Sequence, residues 1–265
     1  MGILNVTPDS FGESPQSPGL DVAAAIDAAL RMEAEGADIV DVGGESTRPG
    51  ADPISVEEEL DRVLPVLRGL VPRLHVPVSI DTYKAKVARA AIDCGVSIIN
   101  DISGLLFEPR LADVAAESDA ALVLMHTRGR PRHMSEEAVY GDVVADVIRE
   151  LRDSLARATA AGVPRDRTIV DPGIGFAKRA AHSYGVLARL PAISDALGRP
   201  LLVGPSRKSF MREALDNRRA DQRDWGTAAA VTAAVLNGAH IVRVHAVAEM
   251  KQVIAVAEEI RRHQP

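Results

Sequence analysis

The sequence predicts an α/β protein, a single-domain (β/α)8 TIM barrel. Eight short β-branched segments alternate with helical patterns along 265 residues, a length at which such barrels form one domain. No linker-like break divides the chain, so we expect one domain over residues 1–265. A doubly wound open sheet is the alternative, but no G-x-G-x-x-G turn follows the first strand, which disfavours it.

The repeating unit is clearest between residues 76 and 100. A β-branched run over 76–80 ends at Asp81, and a second run over 97–99 ends at Asn100. Between them apolar residues recur at helical spacing, and Gly95 stands where a helix C-cap is expected. Because parallel strands need such a crossover, this segment predicts one strand–helix–strand unit.

The same alternation extends over the whole chain. The predicted strands cover residues 1–6, 39–42, 76–80, 97–99, 121–125, 168–170, 201–203 and 241–244. Besides the crossover after Asp81, the predicted helices cover residues 22–35, 56–70, 109–117, 143–161, 184–197, 227–236 and 249–262. Ser55 and Glu58 form a capping-box pattern before the second helix. The Gly/Ser/Pro-rich stretch 12–19 is typical of an active-site lid.

Composition narrows the class of protein. Apolar residues make up 46% and aromatic residues 3% of the chain, so Ala, Val, Leu and Ile must fill the core. The net charge of -6 argues against a nucleic-acid-binding protein. No apolar run approaches the roughly 20 residues of a membrane-spanning helix. Cys94 cannot form an internal disulfide and is predicted to be a small core residue, and we expect a cytoplasmic location.

Polar residues follow nearly every predicted strand. They are Asn5, Asp41, Asp81, Asn100, His126, Asp171, Ser206, Arg207, Lys208, Arg243 and His245, with Thr47 and Arg48 in the second loop. Because barrel active sites lie at the carboxyl ends of the strands, we expect these side chains to meet. The acceptors and the amide suit the donor-rich edge of a polar heterocycle, whereas Arg48, Lys208, Arg243 and His245 suit phosphate or carboxylate.

Some of these residues have simpler interpretations. Asp41 could merely cap local backbone. His126 belongs to the basic stretch HTRGRPRHM, which is more typical of a flexible loop than of a metal site, since its His spacing matches no zinc pattern. Arg207 and Lys208 favour a ligand role, because basic residues at a helix start oppose the helix dipole. The SRKSF stretch is expected to open a helix whose N–H groups could bind an anion.

Chemistry alone therefore predicts a barrel enzyme acting on a polar ring with a phosphorylated substituent. Asn5 could help to place Mg²⁺ on a diphosphate, because Mg²⁺ keeps water and substrate oxygens as its main ligands. No Walker loop, nucleophile elbow or cluster of metal-binding residue types occurs in the sequence.

At these same residues the sequence resembles the dihydropteroate synthase family over nearly its whole length. The shared motifs, in family order, are MGILNVTPDSF, DVGGESTRPGA, SIDT, IINDISG, LMHTRGRPRHM, DPGIGFAK, SRKSF and RVH. The resemblance implies a transferase of folate biosynthesis that condenses 6-hydroxymethyl-7,8-dihydropterin diphosphate with 4-aminobenzoate, and it implies sulfonamide binding and a homodimer.

The resemblance also implies a role for each motif residue. The pterin would be bound by Asp81, Asn100, Asp171 and Lys208. The diphosphate would be bound by Thr47, Arg243 and His245, with Mg²⁺ on Asn5. The arylamine 4-aminobenzoate would be bound by Thr7, Pro8, Arg48 and Ser209. In this family the diphosphate leaves first, so Asp9 would stabilise the cationic centre, and Lys208, Arg243 and His245 complete the catalytic set.

Two departures from the family pattern affect these expectations. Gly12, Glu13, Ser14 and Pro15 replace the usual Ser-Asp-Gly-Gly turn, and Ala246 replaces the Asp that commonly follows the RVH histidine. Altered arylamine affinity would follow from the first, and loss of a supporting contact from the second. Little chain precedes the first strand to cover the barrel bottom, so we expect reduced stability. A pterin-dependent methyltransferase and a non-catalytic pterin-binding paralogue are the alternatives.

Overall fold

The structure is a computed structural model that describes residues 1–7, 21–48 and 50–264. Its strands are short and parallel, and all lie close to their predicted positions. They are β1 (Gly2–Asn5), β2 (Val40–Gly43), β3 (Val78–Asp81), β4 (Ile98–Asp101), β5 (Ala121–Met125), β6 (Thr168–Asp171), β7 (Leu202–Val203) and β8 (Ile241–Val242).

Backbone pairing closes these strands into a barrel. Strands β1 to β6 pair in sequence order, and β7 pairs with β8. Parallel bridges join Val170 to Leu201 and Gly2 to Val244, which connect the two groups on both sides. The predicted (β/α)8 barrel is therefore confirmed, and the open-sheet alternative is wrong because β8 returns to β1.

Helices follow the strands and cover the outside of the barrel. They are α1 (Val22–Ala34), α2 (Val56–Leu70), α3 (Ala85–Asp93), α4 (Leu111–Glu117), α5 (Val143–Ala160), α6 (Ala180–Ala188), α7 (Leu190–Leu197), α8 (Asp224–Leu236) and α9 (Val247–Arg262). The Ser55 side chain accepts a hydrogen bond from the Glu58 N–H, which confirms the predicted N-cap of α2. In the described part of the chain, no helix has both the length and the apolar character required to cross a bilayer.

The single helix predicted over residues 184–197 is wrong. Two helices, α6 and α7, occupy this region and meet at Arg189, whose φ of -119° and ψ of 26° are not helical. Pro191 lies in the first turn of α7. A proline inside a continuous helix would remove one hydrogen bond and clash with the preceding turn, whereas it is tolerated at a helix start.

The core lies between the barrel and its helices and consists mainly of aliphatic residues, as the composition requires. Leu4, Ile80, Ile99 and Leu124 are fully buried strand residues within it. Cys94 is half-buried and packs against this core, as predicted. Because the interior of the barrel is filled, a ligand can bind only at the strand ends.

Candidate active site

Strand register brings the predicted polar residues to the same end of the barrel. Asn5 pairs with Gly43, Gly43 with Asp81, and Asp81 with Asn100, so one level of the barrel contains the last residues of neighbouring strands. Asp171 is opposite Met125 at the end of β6. The carboxyl ends of the strands thus form a polar mouth, as the sequence predicted.

A guanidinium–carboxylate cluster lies in this mouth. Arg243 Nε donates to Asp41 Oδ2 at 2.6 Å, and Arg243 Nη2 donates to Asp81 Oδ2 at 2.8 Å. Asn100 Nδ2 donates to the same Asp41 oxygen at 3.1 Å. The interpretation of Asp41 as a local backbone cap is therefore wrong, because this fully buried carboxylate joins β2 to β4 and β8.

The charges of this cluster depend on one another. Burial raises the pKa of Asp81 to about 7, although Arg243 opposes the shift. Burial lowers the pKa of Arg243, but the carboxylates of Asp41 and Asp81 outweigh it and raise the pKa overall. Neither Asp41 Oδ1 nor Asp81 Oδ1 has a hydrogen-bond partner among the described residues. Buried oxygens of this kind are costly unless a ligand donates to them.

Asp171 and Lys208 form a second charged pair in the mouth. The Gly173 N–H donates to Asp171 Oδ1 at 2.7 Å, so one carboxylate oxygen is held by its own loop. Lys208 Nζ donates to the Ile174 carbonyl at 2.6 Å and lies 4.4 Å from the centroid of the Phe176 ring. Burial raises the pKa of Asp171, and burial lowers that of Lys208 to about 8, with each charge opposing the other's shift.

An apolar wall lies beside these charges, and the sequence did not single it out. Tyr83, Ile102 and Met125 form a separate buried cluster, against which Phe107 and Phe176 pack. Met125 ends β5 and the others follow polar strand ends, but apolar residues at such positions are equally typical of the core. The wall gives the mouth a surface suited to the face of a flat ring.

The remaining basic residues have different surroundings. The His245 ring lies 2.9 Å from Ser206 Oγ through Nδ1, and burial, followed by Arg243, lowers its pKa to about 3. Arg207 is engaged within the protein by both oxygens of Asp224, at 2.7 Å and 2.8 Å. The predicted helix at SRKSF is wrong, because only a three-residue 3₁₀ turn, Ser209–Met211, forms there.

The arylamine-site residues are only partly described. Thr7 is buried, Thr47 is half-buried, and Arg48 and Ser209 are exposed. Pro8, Asp9 and the stretch 12–19 lie outside the described residues. Their predicted roles consequently remain predictions.

His126 is buried and contacts two charged side chains. Its Nδ1 lies 2.8 Å from Lys178 Nζ and its Nε2 lies 2.9 Å from Glu150 Oε2. Arg128 also binds Glu150, with Nε donating to Oε2 at 3.1 Å. His126 and Arg128 thus have a fixed acidic partner on α5, which sequence spacing does not reveal.

We expect a His126→Gln substitution to reduce the acid sensitivity of the fold. Burial, then the Lys178 charge, lowers the pKa of His126 to about 4. An unfolded histidine titrates near pH 6.5, so between about pH 6.5 and pH 4 the unfolded chain binds more protons than the folded protein. The free energy of unfolding therefore decreases as the pH is lowered through that window. The variant should lack this acid-induced decrease in unfolding free energy, which amounts to at most about 3 kcal/mol. Urea unfolding at several pH values across the window would measure it.

The exposed His133, in the same stretch, supplies the control. His133→Gln should retain the wild-type slope of unfolding free energy against pH. Equal slopes for the wild type and His126→Gln would contradict the assignment.

Known proteins resemble this chain over nearly its whole length. Residues 1–245 match the family described as pterin binding enzyme. The dihydropteroate synthase of Synechocystis sp. is 45% identical over 262 residues, covering 99% of this chain and 90% of that protein. A solved structure of Xanthomonas albilineans dihydropteroate synthase with 4-aminobenzoic acid has a TM-score of 0.91 at 41% identity, covering 100% of this chain and 93% of the other.

A second solved structure is similar to the same extent. The Burkholderia cenocepacia dihydropteroate synthase complexed with 7,8-dihydropteroate has a TM-score of 0.87 at 41% identity and covers 98% of this chain and 90% of the other. The likeness therefore includes both sequence and fold over nearly the whole chain.

Proposed function

Since the chain belongs to the pterin-binding enzyme family, we propose that it is a transferase with dihydropteroate synthase activity in folate biosynthesis. It condenses 6-hydroxymethyl-7,8-dihydropterin diphosphate with 4-aminobenzoate and yields 7,8-dihydropteroate and diphosphate. The observation that carries this proposal is the mouth itself, in which buried acceptors and an amide lie beside the half-buried cations Arg243 and Lys208. A neutral ring would bind the acceptors and the amide, and an anionic leaving group would bind the cations.

The pterin is proposed to bind among Asp81, Asn100, Asp171 and Lys208. Because Gly173 already donates to one oxygen of Asp171, the other oxygen can accept from the aminopyrimidine edge. Lys208 can donate to a ring oxygen or nitrogen from its place above Phe176. The unpartnered Oδ1 atoms of Asp41 and Asp81 offer further acceptors for ring donors.

The diphosphate is proposed to bind Arg243, His245 and Thr47. The Arg243 side chain is 17% exposed, and its guanidinium already bridges two carboxylates. Its position is therefore fixed before ligand binding. A preorganised cation stabilises charge that develops on a leaving group without the cost of reorientation. His245 is uncharged in the free site, since its pKa is low, and an adjacent dianion would favour its protonation.

Mg²⁺ is the proposed cofactor, and Asn5 is its proposed protein ligand. Asn5 is half-buried at the end of β1, and its side-chain carbonyl is an oxygen donor of the type that Mg²⁺ accepts alongside water and substrate phosphates. Among the described residues, no group of three or more His, Cys, Asp or Glu side chains could hold a metal ion. When bound, the ion would neutralise negative charge on the diphosphate oxygens.

The chemistry needs no protein nucleophile. The bond between the pterin methylene carbon and the diphosphate oxygen breaks, and its electron pair leaves with the diphosphate. The arylamine nitrogen then forms the new bond to the cationic methylene carbon and loses a proton. The proposed roles are positioning by Asp171 and Lys208 and electrostatic stabilisation by Arg243 and Asp9.

The 4-aminobenzoate is proposed to bind on the first two loops and the seventh, through Thr7, Pro8, Arg48 and Ser209. Arg48 is exposed and could bind the arylamine carboxylate. In this arrangement the arylamine would lie on the solvent side of the pterin. An arylamine that enters last suits the proposed order, in which diphosphate departs first.

We further propose that residues 1–265 form one pterin-binding domain, that the protein is cytoplasmic, and that it is a homodimer. The C-terminal helix pair supports a dimer, because Val256 and Ile260 are large exposed apolar residues on α9. Sedimentation velocity would measure the oligomeric state.

The alternatives make different predictions. A pterin-dependent methyltransferase would have no use for the Arg243 and His245 pair beside the pterin acceptors. A non-catalytic paralogue would bind pterin diphosphate tightly without releasing diphosphate. The altered residues 12–15, outside the described part of the chain, make the paralogue the stronger alternative.

The decisive measurement is diphosphate release by the purified protein with Mg²⁺, the pterin diphosphate, and 4-aminobenzoate added or withheld. We expect sustained release only when the arylamine is present, and loss of release in Lys208→Ala. Pterin binding without turnover would support the paralogue.

A further inference from the structure

A buried ammonium group lies beneath the second loop of the barrel mouth. Lys84 Nζ donates to Glu45 Oε2 at 2.5 Å, to Glu59 Oε2 at 2.6 Å and to the Ile54 carbonyl at 2.8 Å. An ammonium group has three donors, so these contacts satisfy all of them. The side chains of Lys84, Glu45 and Glu59 are each less than a tenth exposed.

Two of these contacts hold the two ends of one loop. Glu45 lies two residues after the end of β2, and Ile54 lies two residues before the start of α2, so Thr47 and Arg48 belong to the loop between them. The Ile54 N–H also donates to Glu45 Oε2 at 3.4 Å, and the Tyr83 hydroxyl donates to Glu45 Oε1 at 2.8 Å. Lys84 therefore closes the base of the loop that contains Thr47 and Arg48.

The rim of the loop is held separately. The Gly50 N–H donates to the Pro131 carbonyl at 3.0 Å, and Arg132 pairs with Asp52 at 3.0 Å on the exposed surface. An exposed ion pair contributes little. The buried contacts of Lys84, together with the bond from the Ile54 N–H to Glu45, therefore hold the loop where it leaves and rejoins the barrel.

We propose that Lys84 is a positioning residue for the arylamine half of the site, because its ammonium group joins Glu45 to Ile54 and thereby fixes Thr47 and Arg48. This inference rests on the proposed function, in which Arg48 binds the arylamine carboxylate. Lys84 donates to none of the proposed pterin acceptors, because its three donors are taken by Glu45, Glu59 and Ile54.

The third contact of Lys84 provides a matched control. Glu59 lies on α2 outside the loop, and burial raises its pKa. Glu59→Gln removes one charge from the same buried cluster but keeps the Glu45–Lys84–Ile54 link. Lys84→Met removes the ammonium that joins Glu45 to the Ile54 carbonyl and leaves only the longer bond from the Ile54 N–H to Glu45. Tyr83→Phe removes only the hydroxyl that donates to Glu45.

The test compares these three variants in the full-length protein. For each we would measure kcat, the KM for 4-aminobenzoate, the KM for the pterin diphosphate, and the unfolding temperature. Lys84→Met is expected to raise the KM for 4-aminobenzoate at least tenfold while the pterin KM changes less than threefold. Tyr83→Phe should show a smaller change in the same direction, and Glu59→Gln should keep both KM values within about threefold.

Equal increases of both KM values in Lys84→Met, or an arylamine effect of the same size in Glu59→Gln, would overturn the inference and leave Lys84 a purely structural residue. If Lys84→Met does not fold, an unchanged arylamine KM in Tyr83→Phe would also overturn it. If the wild type itself shows no turnover, the proposed function fails instead. Hydrogen exchange at the Gly50 and Ile54 amides would then test whether Lys84 holds the ends of the loop. Faster exchange is expected in Lys84→Met than in Glu59→Gln.

Discussion

Replacing Asp171 by Asn is expected to weaken the binding of pterin diphosphate about a hundredfold. The Gly173 N–H holds one side-chain oxygen at 2.7 Å, and an Asn oxygen can keep that bond. The Asn amide nitrogen would then take the place of the second carboxylate oxygen and present donors to the donors of the aminopyrimidine edge. Loss of charge-assisted hydrogen bonds costs about 3 kcal/mol, roughly two decades in Kd, which calorimetric titration would measure.

Asp101 provides the matched control at the end of β4. It is fully buried like Asp171, but its carboxylate accepts from Ser103 N, Ser103 Oγ and Leu105 N within its own loop. Asp101→Asn should lower stability by about 1–3 kcal/mol and leave the Kd of the folded protein within about threefold. A loss of affinity below threefold in Asp171→Asn would contradict pterin recognition by this carboxylate.

Replacing Arg243 by Met is expected to abolish most activity and to destabilise the barrel. Removal of the guanidinium leaves the buried carboxylates of Asp41 and Asp81 without compensation, which costs about 3–5 kcal/mol in unfolding free energy. It also removes a preorganised cation beside the leaving diphosphate, for which we expect roughly a thousandfold loss in kcat/KM. Urea unfolding and diphosphate release would measure the two effects.

A double variant separates these two roles of Arg243. Adding Asp41→Asn to Arg243→Met removes one uncompensated charge, so part of the lost stability should return. Activity should not return, because the cation beside the leaving group is still missing. Recovery of activity together with stability would show that Arg243 acts only by neutralising Asp41.

The pattern of short β-branched runs and polar strand ends was sufficient to predict the barrel. Strand positions are local properties, since each run ends where a polar residue replaces an apolar one, and the parallel register then brings Asn5, Asp81 and Asn100 to one level. Helix positions were predicted equally well except at Arg189 and at SRKSF, where a 3₁₀ turn forms instead of a helix. At Arg189 the backbone leaves helical geometry two residues before Pro191, and apolar periodicity does not register this break between two helices.

The partners of the charged residues were not predictable in the same way. Arg243 and Asp41 are separated by 202 positions, and Lys178 and His126 by 52. Nothing in local spacing indicates that Arg207 pairs with Asp224 while Arg243 bridges two carboxylates in the mouth. These pairings depend on which loops meet, and that is fixed by closure of the whole barrel.

By itself the sequence determined the barrel, the end at which its site lies, and the residue types available for a polar ring and an anion. Only the tertiary structure decided which acceptors have no partner among the described residues, which cations are already paired, and that Lys84 joins both ends of the second loop. The physical reason is that element formation follows from short-range periodicity, whereas burial and charge pairing depend on contacts between residues distant in the chain.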